Sequence, residues 1–120
     1  MIPIREILKS IKGSKTETIT NENGTAVKFP DGTMICYGRK NLPSMSFTAA
    51  GYIYYSPKQN ITFPVAFSAI PSTSISARTS NRAWVGNVVS GTSSCTFYVL
   101  NSLNTQPAPY IEWQAIGRWK

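Results

Sequence analysis

The 120-residue chain has no histidine, two cysteines and five acidic residues. Without histidine there is no Ser-His-Asp or Cys-His pair to activate a nucleophile. The acids are Glu6, Glu17, Glu22, Asp31 and Glu112. The first three fall in an N-terminal arm and a polar linker, Asp31 falls in a turn, and only Glu112 lies on a core strand. No two carboxylates are therefore set across one bond, as glycoside hydrolysis requires. Cys36 and Cys95 match no zinc or thioredoxin spacing. They read as two free buried thiols, with a disulfide left open. The eight glycines are dispersed at turns and build no phosphate-binding loop. These absences argue against an enzyme, and no metal or cofactor is expected. No run approaches the ~18 apolar residues of a membrane span. The opening MIPIREILK carries charges inside its apolar stretch with no cleavage site after it, so synthesis in a cytoplasm is expected.

What is present favours strands. The chain is 42% hydrophobic, 12% aromatic and only 14% charged, which excludes a disordered tail. Abundant serine, threonine and aromatics suit a pleated, half-buried surface. The formal charge is +7, and a basic protein attracts anions in general. However, Arg5, Lys9, Lys12 and Lys15 crowd the first fifteen residues, and Arg39–Lys40 is the only adjacent basic pair. From 41 to 110 the cations are Lys58, Arg78 and Arg82, too thin a set for the basic, aromatic-interleaved surface of a nucleic-acid binder.

Along the chain, PIREILKSIK (3–12) has Ile4, Ile7, Leu8 and Ile11 on one helical stripe, with Gly13 as its stop. Residues 1–13 are thus expected to form a short amphipathic helix. A helix this short is marginal alone, and isoleucine at both a and d positions favours three or more strands, so it is a candidate trimerisation arm; packing on its own domain is the other reading. Residues 14–24 are polar and read as a linker. From 25 to 120 the pattern is β. Phe-Pro-Asp-Gly (29–32) is a turn sequence between two alternating runs. Residues 39–51 read as a long loop, part of which could be an edge strand, followed by strands at 52–56, at 61–67, after Pro71 within 69–79, after a loop within 80–91, at 92–102 and at 110–120. Six to seven strands at roughly 8–12-residue spacing indicate an antiparallel β-sandwich.

Exposed aromatics beside hydrogen-bonding side chains suit sugars, because the apolar face of a sugar ring packs on an aromatic while Asn, Arg and Ser side chains read its hydroxyls. The stretch ARTSNRAWVGN supplies Arg78, Asn81, Arg82, Trp84 and Asn87 together. The competing reading is a core tryptophan in a solvated loop. In YIYY, Tyr52, Tyr54 and Tyr55 cannot all face one way in a strand. Tyr55 is therefore a further candidate, for a ligand or for a subunit interface. Arg39 and Lys40 could meet an anionic wall polymer, although an ordinary solvated loop is the favoured reading.

Three stretches resemble, in order, the C-terminal domains of bacteriophage tail fibres: GTAVKFPDGTMICYG (24–38), ITFPVAFSAIPSTSIS (61–76) and IEWQAIGRW (111–119). The resemblance covers about residues 24–120 and implies a fold similar to H-type lectins, packing as a homotrimer and non-enzymatic recognition of host-surface carbohydrate. It implies fold roles for Phe63, Pro64, Phe67, Pro71, Trp113, Ala115 and Gly117, and it carries over no ligand residues. The expected protein is a virion component, a tail-fibre tip or baseplate part, that contacts a host glycan or wall polymer, itself and other virion proteins. The alternatives are a structural virion protein, in a baseplate or as head decoration, using the same fold for assembly, and a basic nucleic-acid-binding domain. If the N-terminal stripe drives trimers, polar substitution of Ile7 and Ile11 lowers the mass measured by light scattering; an unchanged mass removes that role.

Overall fold

The computed structural model describes residues 15–43, 45–78, 83–102 and 110–120. The expected N-terminal helix therefore lies outside the described residues. Ten strands are present among those described: β1 (Glu17–Asn21), β2 (Gly24–Lys28), β3 (Thr33–Asn41), β4 (Thr48–Ala50), β5 (Ile53–Tyr55), β6 (Gln59–Thr62), β7 (Ser72–Arg78), β8 (Ala83–Ser90), β9 (Ser94–Asn101) and β10 (Tyr110–Arg118). They make two sheets. The first runs β1-β2-β3-β10-β7, and the second runs β4-β5-β9-β6 with β8 on the opposite edge of β9. All recorded pairings are antiparallel. The all-β sandwich expected from the sequence is the fold.

The strands depart from the expected six to seven in three places, two of which add a strand (β1 and β4). ETITN, at 17–21, was expected as linker but forms β1 at the sheet edge, where only Ile19 turns inward and the other four residues are exposed. An edge strand needs little apolar content, because one of its backbone edges stays in water. The expected loop at 39–51 is strand at both ends: β3 continues to Asn41 because Arg39, Lys40 and Asn41 pair with Glu112, Ile111 and Tyr110, and Thr48–Ala50 pairs with Ile53–Tyr55. Third, the strand expected at 61–67 begins and ends earlier, at Gln59 and Thr62. Pro64 has no N–H for a ladder, and the chain instead turns over the core, stacking Phe63 edge-on to Phe67 at 5.3 Å.

The core lies between the sheets. The first contributes Ala26, Met34, Cys36, Ile111, Trp113 and Ala115; the second and its connection contribute Ile61, Phe63, Phe67, Cys95, Phe97 and Val99. On β9 the alternation is complete: Cys95, Phe97 and Val99 are buried while Thr96, Tyr98 and Leu100 turn to the outer face. Cys36 and Cys95 are free and buried. Burial pushes the Cys36 thiol up to about 11 and raises the Cys95 thiol as well, so both stay protonated near neutrality.

Trp113 has a tailored seat. Its indole lies across β2 and β3, where a Cβ on Gly38 would stand 3.0 Å from Nε1 and one on Gly24 3.2 Å from the ring. Phe63 packs on it at 5.7 Å. The residues expected to serve the fold are placed accordingly: Phe63, Phe67, Trp113 and Ala115 are in the core, and Pro71 is buried.

Two devices lock the ladder ends. Gly32 N–H donates to the Phe29 carbonyl at 3.1 Å, closing the Phe-Pro-Asp-Gly turn, and Thr33 N–H donates to Asp31 Oδ1 at 2.8 Å. Trp119 is tied onto this turn: its Nε1 donates to the Phe29 carbonyl at 2.8 Å, and its backbone N–H donates to Gly32 at 2.9 Å. In the second sheet, Ser56 interrupts the run from β5 to β6 yet keeps contact with β9. Its N–H donates to the Val99 carbonyl at 2.9 Å, and its hydroxyl accepts from Val99 N–H at 2.9 Å. A buried N–H that the irregularity would leave orphaned is thereby satisfied.

Candidate carbohydrate-binding face

The register of β8 on β9 breaks once. Gly86 pairs with Tyr98 and Val89 with Thr96, so Asn87 and Val88 together oppose Phe97 in a β-bulge. Asn87 has φ of 53°, the one positive value at a non-glycine among the described residues. Asparagine enters this left-handed region more readily than other side-chain-bearing residues. A bulge twists its strand and re-aims a side chain, and here it leaves Asn87 exposed on the outer face of the second sheet.

That face carries two hollows. One, of about 440 Å³, is lined by Ala50, Ile53, Tyr55, Asn87, Tyr98 and Leu100. The other, also about 440 Å³, is lined by Lys58, Asn87, Val88, Val89, Thr96 and Tyr98. Asn87 and Tyr98 belong to both. Tyr55 meets Tyr98 edge-on, centroids 6.1 Å apart, so one ring supports the other. Gly86 leaves the neighbouring Leu100 its place, since a Cβ there would lie 2.7 Å from Leu100 Cδ1. Trp84 pairs with Leu100 and is 44% exposed. Tyr55, Leu100 and Trp84 thus lie side by side on three neighbouring strands.

The six residues singled out from the sequence separate in space. Tyr55, Trp84 and Asn87 share this face. Arg78 does not: it ends β7 in the other sheet, where its guanidinium stands 3.3 Å from Glu112 Oε2. Arg39 holds the other oxygen of Glu112 at 3.3 Å and lies over the Tyr110 ring at 4.2 Å. The chain crosses between sheets from β7 to β8, so neighbours in ARTSNRAWVGN reach different surfaces. Asn81 and Arg82 lie outside the described residues. Tyr98, Leu100 and Lys58 were not singled out from the sequence. The first two carried a signal, the strict alternation of β9, which sends them outward opposite Phe97 and Val99. Lys58 sits in a turn and carried none.

A third hollow, of about 300 Å³, opens at the seam of the sheets and is lined by Glu22, Asn23, Arg39, Lys40, Asn60, Ile61, Thr62 and Trp113. The adjacent pair Arg39–Lys40 is divided there. Lys40 donates to the Asn60 carbonyl and so ties β3 to β6, while Arg39 is held by Glu112. Among the described residues, no group of three potential metal-ligating side chains stands together.

No protein-family model matches the chain, and no curated protein matches it. Solved structures do. An N-truncated R1-type pyocin tail fibre superposes with a TM-score of 0.63 at 16% identity, with 98% of each chain covered. The fold is shared with pyocin tail fibres. A C-terminal piece of the Pseudomonas aeruginosa R1 pyocin fibre gives a TM-score of 0.60 at 17% identity over 98% of this chain. The corresponding R2 pyocin fibre piece gives 0.62 at 14% identity over 92% of it. This chain spans 34% and 28% of those two longer pieces. The tail-fibre resemblance drawn from three short motifs is therefore borne out in the fold, across almost the whole chain.

The bulge gives a backbone test of the site. Glycine at 87 tolerates the left-handed conformation, whereas a β-branched residue is strained there by roughly 1–2 kcal/mol. Asn87→Gly is expected to melt within a degree or two of the parent, and Asn87→Val several degrees lower. Equal melting of the two would show that Asn87 does not hold this conformation.

Proposed function

We propose that the chain is a receptor-binding module of a tail-fibre-like assembly that adheres to host-surface carbohydrate without catalysis. One observation carries this reading: on a tail-fibre fold, an asparagine aimed outward by a bulge stands between two hollows walled by aromatic and aliphatic side chains. Open, shallow surfaces of this kind suit sugars. Rings stack on Tyr55, Tyr98 and Trp84, and the Asn87 amide offers both donors and an acceptor to hydroxyls. Each hollow falls within the roughly 300–1,000 Å³ of small-ligand sites. On the same reading the sandwich is of the H-type lectin kind, the protein is a homotrimer, and it resides in the virion or particle beside other structural proteins.

The assembly reading draws on a different surface. Tyr37 and Ile116, on the outer face of the first sheet, are 47% and 44% exposed, and such a face suits contact with another structural subunit. The nucleic-acid reading has less support. Arg39 and Arg78 converge on one carboxylate, and Lys28 and Lys120 both lie over the Trp119 ring, so these cations do not form a free basic track.

The readings separate in one binding experiment with purified protein and cell-wall fractions of candidate hosts. Adhesion through the second sheet predicts that Trp84→Ala and Asn87→Gly each weaken binding by on the order of tenfold, while Tyr37→Ala on the first sheet leaves it unchanged. Binding to no wall fraction favours assembly. Retention of nucleic acid with a steep salt dependence favours the third reading.

A further inference from the structure

We infer that the two hollows on the second sheet are adjoining subsites for one oligosaccharide of at least two residues, the first taking an uncharged sugar and the second an anionic one. This rests on the adhesion reading above and specifies its ligand. The geometric basis is the shared wall. Asn87 and Tyr98 line both hollows, so a molecule filling one touches the residues that border the other. A single ring occupies one side of this wall; a linked pair of rings spans it, with the amide of Asn87 near the linkage.

The two sides differ in chemistry. The first is closed by Ala50, Ile53, Tyr55 and Leu100, none of which carries charge. The second contains Lys58 beside Val88, Val89 and Thr96. Lys58 is exposed, and its ammonium has no hydrogen-bond or ion-pair partner among the described residues. The described acids lie elsewhere. Glu17 and Glu22 belong to β1 and its turn, Asp31 to the β2–β3 turn, and Glu112 to β10, all in the first sheet. No described carboxylate lines either hollow. An ammonium with three donors and no acceptor, to which the described residues bring no competing carboxylate, selects an anionic substituent. That substituent is a sugar carboxylate or a sugar phosphate, which share this chemistry.

The selection is modest and salt-sensitive, because an exposed ion pair contributes little and is screened. Its signature is a preference rather than an absolute requirement. Asn87 serves both subsites and Lys58 serves one, so their substitutions have different consequences.

The test uses oligosaccharides released from a wall fraction that binds the full chain. They are sorted by size and, on an anion exchanger, into neutral and acidic pools, and then used to compete for binding. A phosphatase-treated portion of the acidic pool distinguishes phosphate from carboxylate. Acidic disaccharides and longer chains are expected to compete better than neutral ones and much better than monosaccharides. Lys58→Gln should weaken the acidic competitors by about fivefold, as an exposed pair allows, and leave the neutral ones unchanged. Asn87→Gly should weaken both. Equal competition by the neutral and acidic pools, with Lys58→Gln matching the parent, would overturn the anionic subsite. Monosaccharides as effective as longer chains would overturn the pairing of subsites. Competition by neither pool, with intact wall still bound, would overturn the subsite assignment while leaving adhesion standing. Failure of every wall fraction to bind would remove adhesion itself and this assignment with it.

Discussion

Strand β10 is paired along both edges, and the first sheet depends on it. Tyr110–Arg118 runs against β3 through nine residue pairs and against β7 through seven. Without β10, β3 and β7 have no common partner, and the inward row Ile111, Trp113 and Ala115 is lost from the core. Its position fixes more than hydrogen bonds. Trp113 lies over two glycines, Gly24 in β2 and Gly38 in β3, so its indole packs directly against the backbones of both strands. The end of the strand is fastened in turn, with Arg118 reaching the Asp31 carbonyl and Trp119 donating to Phe29. Large apolar side chains at the end of this chain are therefore a clamp on the first hairpin as well as core.

β9 has the corresponding role in the second sheet, where it pairs with β8 on one edge and with β5 and β6 on the other. The same alternation that buries Cys95, Phe97 and Val99 presents Tyr98 and Leu100 outward. Core and candidate site are thus two faces of one strand. The local departure from regularity is the bulge at Asn87, and it is at this departure that the two hollows meet. A rigid sheet supplies the aromatic platform, and a single irregular residue supplies its central polar group.

Much of this was legible in the sequence. Period-two alternation gave the class and most strand positions, because burial of one face leaves its mark on every second residue. β1 was missed because ETITN needs only Ile19 for the core, so an edge strand and a linker look alike by composition. The extension of β3 through Arg39, Lys40 and Asn41 fell inside an expected loop, with an edge strand only left open there, because the pairing comes from Tyr110, Ile111 and Glu112, far along the chain. The candidate site was half legible. Trp84, Asn87 and Tyr55 lie together, but Arg78 was grouped with them by sequence proximity, and a change of sheet between β7 and β8 undoes that proximity. Nothing in GNVV announces a bulge by periodicity; the left-handed asparagine becomes visible only once Tyr98 and Thr96 reveal the slipped register.

The central claim is that the outer face of the second sheet, organised by Asn87, is where carbohydrate binds. Amide chemical-shift mapping of the isotope-labelled protein, titrated with oligosaccharides from a wall fraction that it binds, tests this most directly. The account predicts shifts concentrated at Tyr55, Lys58, Trp84, Asn87 and Tyr98, with Tyr37, Arg39, Gln114 and Ile116 on the opposite face unmoved. Shifts centred on that opposite face, or at the seam around Lys40 and Asn60, would contradict it.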